Sequence, residues 1–330
     1  MSYSYDVVGL GNAIVDVISR TDDAFLQRHG LVKGAMTLIS AETADLLYAD
    51  MGPAIEVSGG SAANTMAGIA SLGGRAAYMG RVFADQLGQV FRHDIRAAGV
   101  GFETPAARSG PPTARCLVFV TPDAQRTMQT FLGACVDFGP DDVDAATVAS
   151  SHIVYLEGYL WDKAQAKDAF RKAVQVAHGN GNRVALTLSD PFCVDRHRTE
   201  FLALIDEGVD IVLANEAEIK SLWQVADIDD AVAACRSREN RIWAITRSEK
   251  GSIVIGGGAA EPVCAEKAAR LVDTTGAGDL YASGFLFGLS QDQALTDCAR
   301  LGHICASEVI SHYGARPEIS LKVLAATRMK

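Results

Sequence analysis

The stretch Asp273-Thr-Thr-Gly-Ala-Gly-Asp279 sets Gly276 and Gly278 around Ala277, directly before the apolar run LYASGFLFGL. A glycine-rich turn entering a helix leaves backbone N–H groups unpaired and aims the helix dipole at whatever lies there, which makes a cradle for an anion. The stretch closes on a carboxylate, Asp279, where a phosphate loop of the GxxxxGK[ST] kind carries lysine. Taken alone, it is equally compatible with a tight turn capped by Asp279. A second entry of this type is GGSAANTMAGIASLGG, residues 59–74. Gly59 and Gly60 lead into a helix with Ala63, Ala67 and Ala70 on it, and Asn64 points toward the helix mouth; a small-residue packing helix has the same pattern. In NEAE (215–218), Asn215 and Glu218 are three apart and share one face of a helix start. They follow the strand-like VDIVLA, at the strand end where α/β proteins bind ligands, though a capping box has the same spacing.

These positions need a scaffold, and the chain supplies one by alternation. YDVVGLG (5–11), RAAYMG (75–80), HIVYLEG (152–158), RVALTLS (183–189), VDIVLAN (209–215) and RIWAITR (241–247) read as buried strands. Helix-length segments such as DKAQAKDAFRKAVQVAHGNG (162–181) lie between them. Strand–helix alternation with buried strands predicts a parallel sheet covered on both faces. Two regions break the rhythm. Residues 14–58 hold short β-prone pieces, and 113–131 hold two strands around the turn Thr-Pro-Asp-Ala-Gln. Both are expected to form one small β-rich lid beside the main sheet, inserted and not a separate domain.

The 330 residues carry 30 basic and 40 acidic side chains, a net charge of −10, which argues against nucleic acid or an anionic membrane as partner. The start, MSYSYDVVGL, has no basic n-region, so no signal peptide is expected, and no apolar run is long enough to span a membrane. Seven scattered cysteines without a CxxC pair read as reduced thiols in a cytoplasmic protein. GLGNAIVD lacks the third glycine of a dinucleotide fingerprint, since position 14 is Ile. No P-loop, HExxH or Ser–His–Asp signature is present.

Taken together, the motifs resemble the ribokinase-type carbohydrate kinases (the PfkB family), which include the adenosine kinases. The resemblance runs from VVGLGNAIVD (7–16) to YGARPE (313–318). GNAIVDV (11–17), LTLSDPF (186–192), VDIVLANEAE (209–218) and GHICASEVISHYGARPE (302–318) are most similar to the adenosine kinase branch. The resemblance implies a ribokinase-like three-layer α/β/α sandwich over residues 1–330, with a mostly parallel central sheet and the β lid. It implies Mg²⁺-assisted phosphoryl transfer from ATP to a primary hydroxyl of a small sugar or nucleoside, in a monomer or homodimer. A free sugar such as ribose or fructose as acceptor, or a non-catalytic sugar-binding regulator on the same fold, are the alternatives.

Carried onto this chain, the backbone N–H groups of Gly276, Ala277, Gly278 and Asp279 would hold the transferring phosphoryl group, with Thr275 beside ATP. Asp279 would take the acceptor's proton. Asp16 would accept hydrogen bonds from acceptor hydroxyls, a role suited to an acceptor-only carboxylate; an exposed lid-strand aspartate is the plainer reading. Asn12, Gly59, Gly60, Asn64 and Tyr159 would complete the acceptor site. Asn215 and Glu218 would act on Mg²⁺ and phosphate through water. Thr246 and Gly251 match the family's nucleotide loop only partly, because Ser248 stands where glycine is usual. His303 would lie near the adenine of ATP or serve as a core histidine. Some members bind a monovalent cation, K⁺, near the positions of Asp273 and Gly314; Glu318 replaces the small polar residue of cation-dependent ribokinases. Met36 replaces a glutamine usual in adenosine kinases, and Leu160 replaces an aromatic residue, leaving Tyr159 and Trp161 for stacking on a purine. Glu157 and Arg115 are candidate polar specificity groups; the alternative is that they pair with each other or face solvent.

Overall fold

In the strand Tyr5–Leu10 (β1), Val7 points into one hydrophobic layer while Val8 and Leu10 point into the other, all fully buried. An apolar run without polar alternation belongs inside a sheet covered on both faces, and β1 sits there. The computed structural model describes residues 3–123 and 125–329. Met1, Ser2, Ala124 and Lys330 lie outside it, so the fourth residue of the turn expected at 121–125 is not among the described residues.

The remaining strands, in chain order, are Ile14–Arg20 (β2), Met36–Leu38 (β3), Ala54–Gly59 (β4), Ala76–Met79 (β5), Ala114–Val120 (β6) and Arg126–Phe131 (β7). Ser151–Glu157 (β8), Arg183–Thr187 (β9), Ile211–Asn215 (β10), Ile242–Thr246 (β11), Ser252–Gly256 (β12) and Ala259–Val263 (β13) follow. The main sheet has the order β13-β12-β11-β10-β9-β8-β1-β5. It is parallel from β11 to β5 and ends in an antiparallel β12–β13 hairpin. One layer of helices includes Ser61–Ser71 and Ala277–Ser290, and the other includes Ala164–Gly179 and Pro191–Gly208. This is the three-layer α/β/α arrangement. The β12–β13 hairpin is not among the strands expected from the sequence. Pro262 and the glycine run 256–258 disguise it, yet a proline is tolerated because β13 is an edge strand.

A five-stranded sheet of order β3-β7-β6-β2-β4 draws on both segments that interrupt the alternation. Its two faces differ. Val15, Val17, Leu117 and Phe119 join Phe25, Leu26 and Leu47 of the covering helices in the core. The opposite face carries Asp16, which pairs in register with Val57 and Cys116. On the same face, Ile18 lies beside Ile55 and Val118, Val118 beside Met128, and Met128 beside Met36. Met36 and Leu38 are half exposed, at 51% and 57%. Among the described residues no helix is long and apolar enough to cross a membrane.

Candidate active site

Asp279 is the third residue of the Ala277–Ser290 helix, and the N-cap is Gly276, which makes no side-chain capping bond. The reading of Asp279 as a plain N-cap is therefore wrong. Gly276 has φ 78°, and a Cβ there would come 2.8 Å from Ala315, so both conformation and space call for glycine. Of the N–H groups expected to face an anion, that of Ala277 donates to Thr274 O at 3.2 Å. Those of Gly276, Gly278 and Asp279 have no protein acceptor among the described residues. The Asp279 carboxylate accepts from Ser61 Oγ at 2.6 Å and from Asn64 Nδ2 at 2.9 Å. Asn64, expected beside the sugar, thus holds the acid, and its own Oδ1 is buried without a partner. Burial raises the Asp279 pKa, against the pull of Ser61, Asn64 and Arg316.

Asp16 lies on the lid face opposite the lid's packed core, against Gly59: its Oδ2 is 2.5 Å from where a Gly59 Cβ would stand. Burial pushes its pKa up to about 6, opposed by Arg126 and Arg316 and reinforced by Asp279. The two carboxylates are thus within electrostatic reach across the mouth between lid and main sheet. Gly60 caps the Ser61–Ser71 helix at φ 100°, and a Cβ on it would lie 2.1 Å from Asn12 O. Arg126, at the start of β7, pairs with Asp273 and donates to Thr275 Oγ1 at 3.1 Å, tying the lid to the glycine loop.

The acceptor-side expectations are partly overturned. Asn12 is buried and donates through N and Nδ2 to Glu157 Oε1, at 3.3 and 2.9 Å. Glu157 Oε2 accepts from Ala62 N at 2.9 Å. Glu157 therefore staples the turn after β1 to the start of the Ser61–Ser71 helix, and burial raises its pKa to about 7. It does not pair with Arg115, which binds Asp45 and lies over the Tyr48 ring. Trp161 is 1% exposed, packed on Phe170 and Phe201, and Leu160 is buried too, so neither is free to stack on a base. Tyr159 folds onto the loop after β9, its OH donating to Ser189 O at 3.2 Å and Ser189 Oγ receiving its N–H at 3.0 Å. Ser189 is held there at φ 74°.

On the other side of Asp279, a cleft is lined by Ser61, Tyr155, Asn215, Glu218, Thr246 and Gly278. Asn215 and Glu218 do form a capping box: Asn215 Oδ1 accepts from Glu218 N, and Glu218 Oε2 accepts from Asn215 N, each at 2.9 Å. They nonetheless border the cleft, and burial raises the Glu218 pKa to about 7. Ser248 adopts φ 52°, in the left-handed region that glycine favours. Gly251 has φ 86°, with Val263 O 2.0 Å from a would-be Cβ. His303 is buried against Ser252 Oγ at 2.9 Å and edge-on to Tyr281, and burial lowers its pKa to about 4. That is the core-histidine alternative. Asp273 accepts from Thr275 N and Oγ1 and from Gly314 N, at 3.0, 2.7 and 3.1 Å, besides Arg126. Asp273 thus already carries one cationic partner, Arg126, and three further donors. Ser61, Arg126 and Arg316 went unsignalled in the sequence because each acts on partners far away in the chain.

Residues 55–321 match the model of the pfkB family carbohydrate kinases. An adenosine kinase from Sinorhizobium meliloti of solved structure is 52% identical, covering 98% of this chain and 99% of that one, with a TM-score of 0.90. A probable sugar kinase protein from Rhizobium etli CFN 42 is 50% identical over 98% of each chain, also with a TM-score of 0.90. The adenosine kinase of Saccharomyces cerevisiae is 26% identical over 93% of this chain and 95% of its own length. With its glycine-cradled acid at a helix start and a β lid above it, the chain belongs to the pfkB family of carbohydrate kinases and is a sugar or nucleoside kinase.

Proposed function

We propose that this kinase is of the adenosine kinase type and passes the γ-phosphoryl group of ATP to the 5′-hydroxyl of a nucleoside. The observation that carries the reading is the placement of two carboxylates, Asp279 at the open N–H groups of a helix start and Asp16 on the lid face toward it. Around Asp16, the half-exposed Met36 and Leu38 and the neighbouring Ile55 and Met128 give that lid face an apolar surface. Such a surface suits a flat base attached to a ribose better than a bare polyol.

In this reading Asp16 accepts from the ribose hydroxyls, and the 5′-oxygen lies at Asp279. The N–H groups of Gly276, Gly278 and Asp279 receive the equatorial oxygens of the phosphoryl group as charge develops on them. Asp279, oriented by Ser61 and Asn64, accepts the hydroxyl proton while the oxygen attacks phosphorus. Mg²⁺ would supply further neutralisation of phosphate charge when ATP is bound, and the Glu218 carboxylate, which borders the cleft and is held by Asn215, would suit contact with its waters. K⁺ has no part in this reading, since Arg126 already stands at Asp273. Gly59 and Gly60 form the hinge on which the lid closes over the acceptor, excluding water. Seven free cysteines fit a reducing, cytoplasmic setting.

The test is ADP release in a coupled assay across purine and pyrimidine nucleosides, ribose and fructose. Turnover of a nucleoside with kcat/KM at least a hundredfold above any free sugar is expected. Good turnover of a free sugar with every nucleoside ignored overturns the nucleoside assignment, and no turnover of any acceptor favours a binding protein on the same fold.

A further inference from the structure

Arg316 lies in the loop after the Leu295–Val309 helix, two residues past Gly314. Among the described residues no carboxylate pairs with its guanidinium directly. It donates from Nη1 to Ala63 O at 3.2 Å, and from Nη2 to Ser58 O at 2.8 Å and Ser58 Oγ at 3.0 Å. Its Nε is buried without an acceptor. These contacts bracket residues 58–63, where the lid returns through Gly59 and Gly60 into the Ser61–Ser71 helix. Asp16 lies against Gly59 at the lid end of this segment, and Ser61 and Asn64 hold Asp279 at its other end. The guanidinium therefore holds the return segment that touches Asp16 at Gly59 and leads through Ser61 to Asp279.

We propose that Arg316 is a positioning residue for phosphoryl transfer: its charge keeps Asp16 and Asp279 ionised together, and its fork clamps the 58–63 return that sets their separation. This rests on the kinase reading above. Burying a guanidinium is costly, and tying a loop to two carbonyls needs only an amide. The charge earns its place through the acids around it: Asp94, which accepts from Ser58 N at 2.8 Å, and Asp16 and Asp279 all act on Arg316. Asp279 faces Ser61 and Asn64 from one helix, Tyr155 and Glu157 from β8, Asp16 from the lid and Arg316 from its loop. Arg316 is the cation in that set. Asp16 also faces Arg126, so its charge is shared between two arginines.

The test is the pH profile of kcat/KM, with ¹³C NMR titration of labelled aspartate carboxyls, in the wild type, Arg316→Gln and Arg316→Lys. Loss of the charge should move the acid limb and the titration of both carboxyls up by about one pH unit. Lysine should leave the limb within about 0.3 unit of wild type while raising acceptor KM, because it lacks the fork. A limb and carboxyl titrations unmoved in Arg316→Gln overturn the proposal and leave a loop tie. If that variant fails to fold, Asp94→Asn probes the same field from the other side. Removing the acid that competes for Arg316 should shift the limb down, and an unmoved limb there overturns the proposal equally. A wild type that phosphorylates no acceptor refutes the kinase reading, and the NMR titrations still decide for or against Arg316.

Discussion

The assignment of Asp279 as general base is tested most sharply by Asp279→Asn, because the local structure predicts that this change spares the fold. Gly276, and not Asp279, caps the helix, so no cap is lost. The carboxylate accepts one bond from Ser61 and one from Asn64. The introduced amide oxygen can keep the first. Its NH₂ would oppose that of Asn64, but Asn64 Oδ1 is buried and unpartnered, so turning the Asn64 amide over restores a bond at the second place. What is lost is the favourable charge in the first helical turn, about 0.3–1 kcal/mol. Against this stands relief of the burial that raises the acid's pKa. Stability should therefore change by less than about 1 kcal/mol. For a chain of 330 residues that is a Tm shift of about 1–2 °C. Removal of the proton acceptor should lower kcat about 10²–10⁴-fold, or 2.7–5.4 kcal/mol at about 1.36 per decade. ATP affinity should hold or improve, since one negative charge near the phosphates is gone. Steady-state kinetics with saturating nucleoside, ATP titration calorimetry and a melting curve read the three quantities. A kcat within a few-fold of wild type, in a variant that melts normally, would refute the base assignment.

Further outcomes follow from the same geometry. Asp16→Asn should weaken acceptor binding about ten- to a hundredfold, the 1.5–3 kcal/mol of a charge-assisted contact, with ATP affinity unchanged; calorimetry separates the two. In the wild type, acceptor KM should rise as pH falls through about 6, where Asp16 takes up a proton. Its folded pKa lies above that of an unperturbed aspartate, so this carboxyl's contribution to the stability of the free protein is full below about 4 and is lost as pH rises through about 6; melting curves across that window check the sign. Arg126→Ala strands a carboxylate 7% exposed, and because Asp273 keeps its other donors the cost should be about 3 kcal/mol, a Tm loss of about 4 °C. Exchanging Na⁺ for K⁺ should recover part of that loss in the variant and leave the wild type unmoved, whereas K⁺ stabilisation of the wild type would reinstate a cation beside Asp273. Trp161→Ala should cost about 3–5 kcal/mol of stability, seen by denaturant unfolding, and leave acceptor KM near wild type; a tenfold KM change would return Trp161 to the acceptor site.

The parts of this molecule legible in the sequence are those written by neighbours along the chain. The alternation that puts Val7 on one side of β1 and Val8 on the other is local, and so are the glycines that open each helix mouth. The placement of Asp279 in the first turn of a helix and of Asp16 on a lid strand is local in the same way. Local reading fails where a side chain's role is set by a distant partner. Ser61 reaches Asp279 across 218 positions, and Arg316 reaches Ser58 across 258. No period or spacing encodes such a meeting. The same limit explains the errors at Trp161, Glu157 and Arg115. An aromatic ring beside a strand end and a charge on a lid strand both look available until burial is known. Trp161 turns inward onto Phe170 and Phe201. Glu157 becomes an internal acceptor for the two turns that shape the site. The differences share one direction: polar or aromatic residues read as ligand contacts are taken up by packing, by ion pairing or by holding backbone within the protein. In the proposed mechanism, whose chemistry is mostly orientation and charge, that supporting layer sets how far apart Asp16 and Asp279 stand, and hence whether a hydroxyl bound by one would be presented to the other.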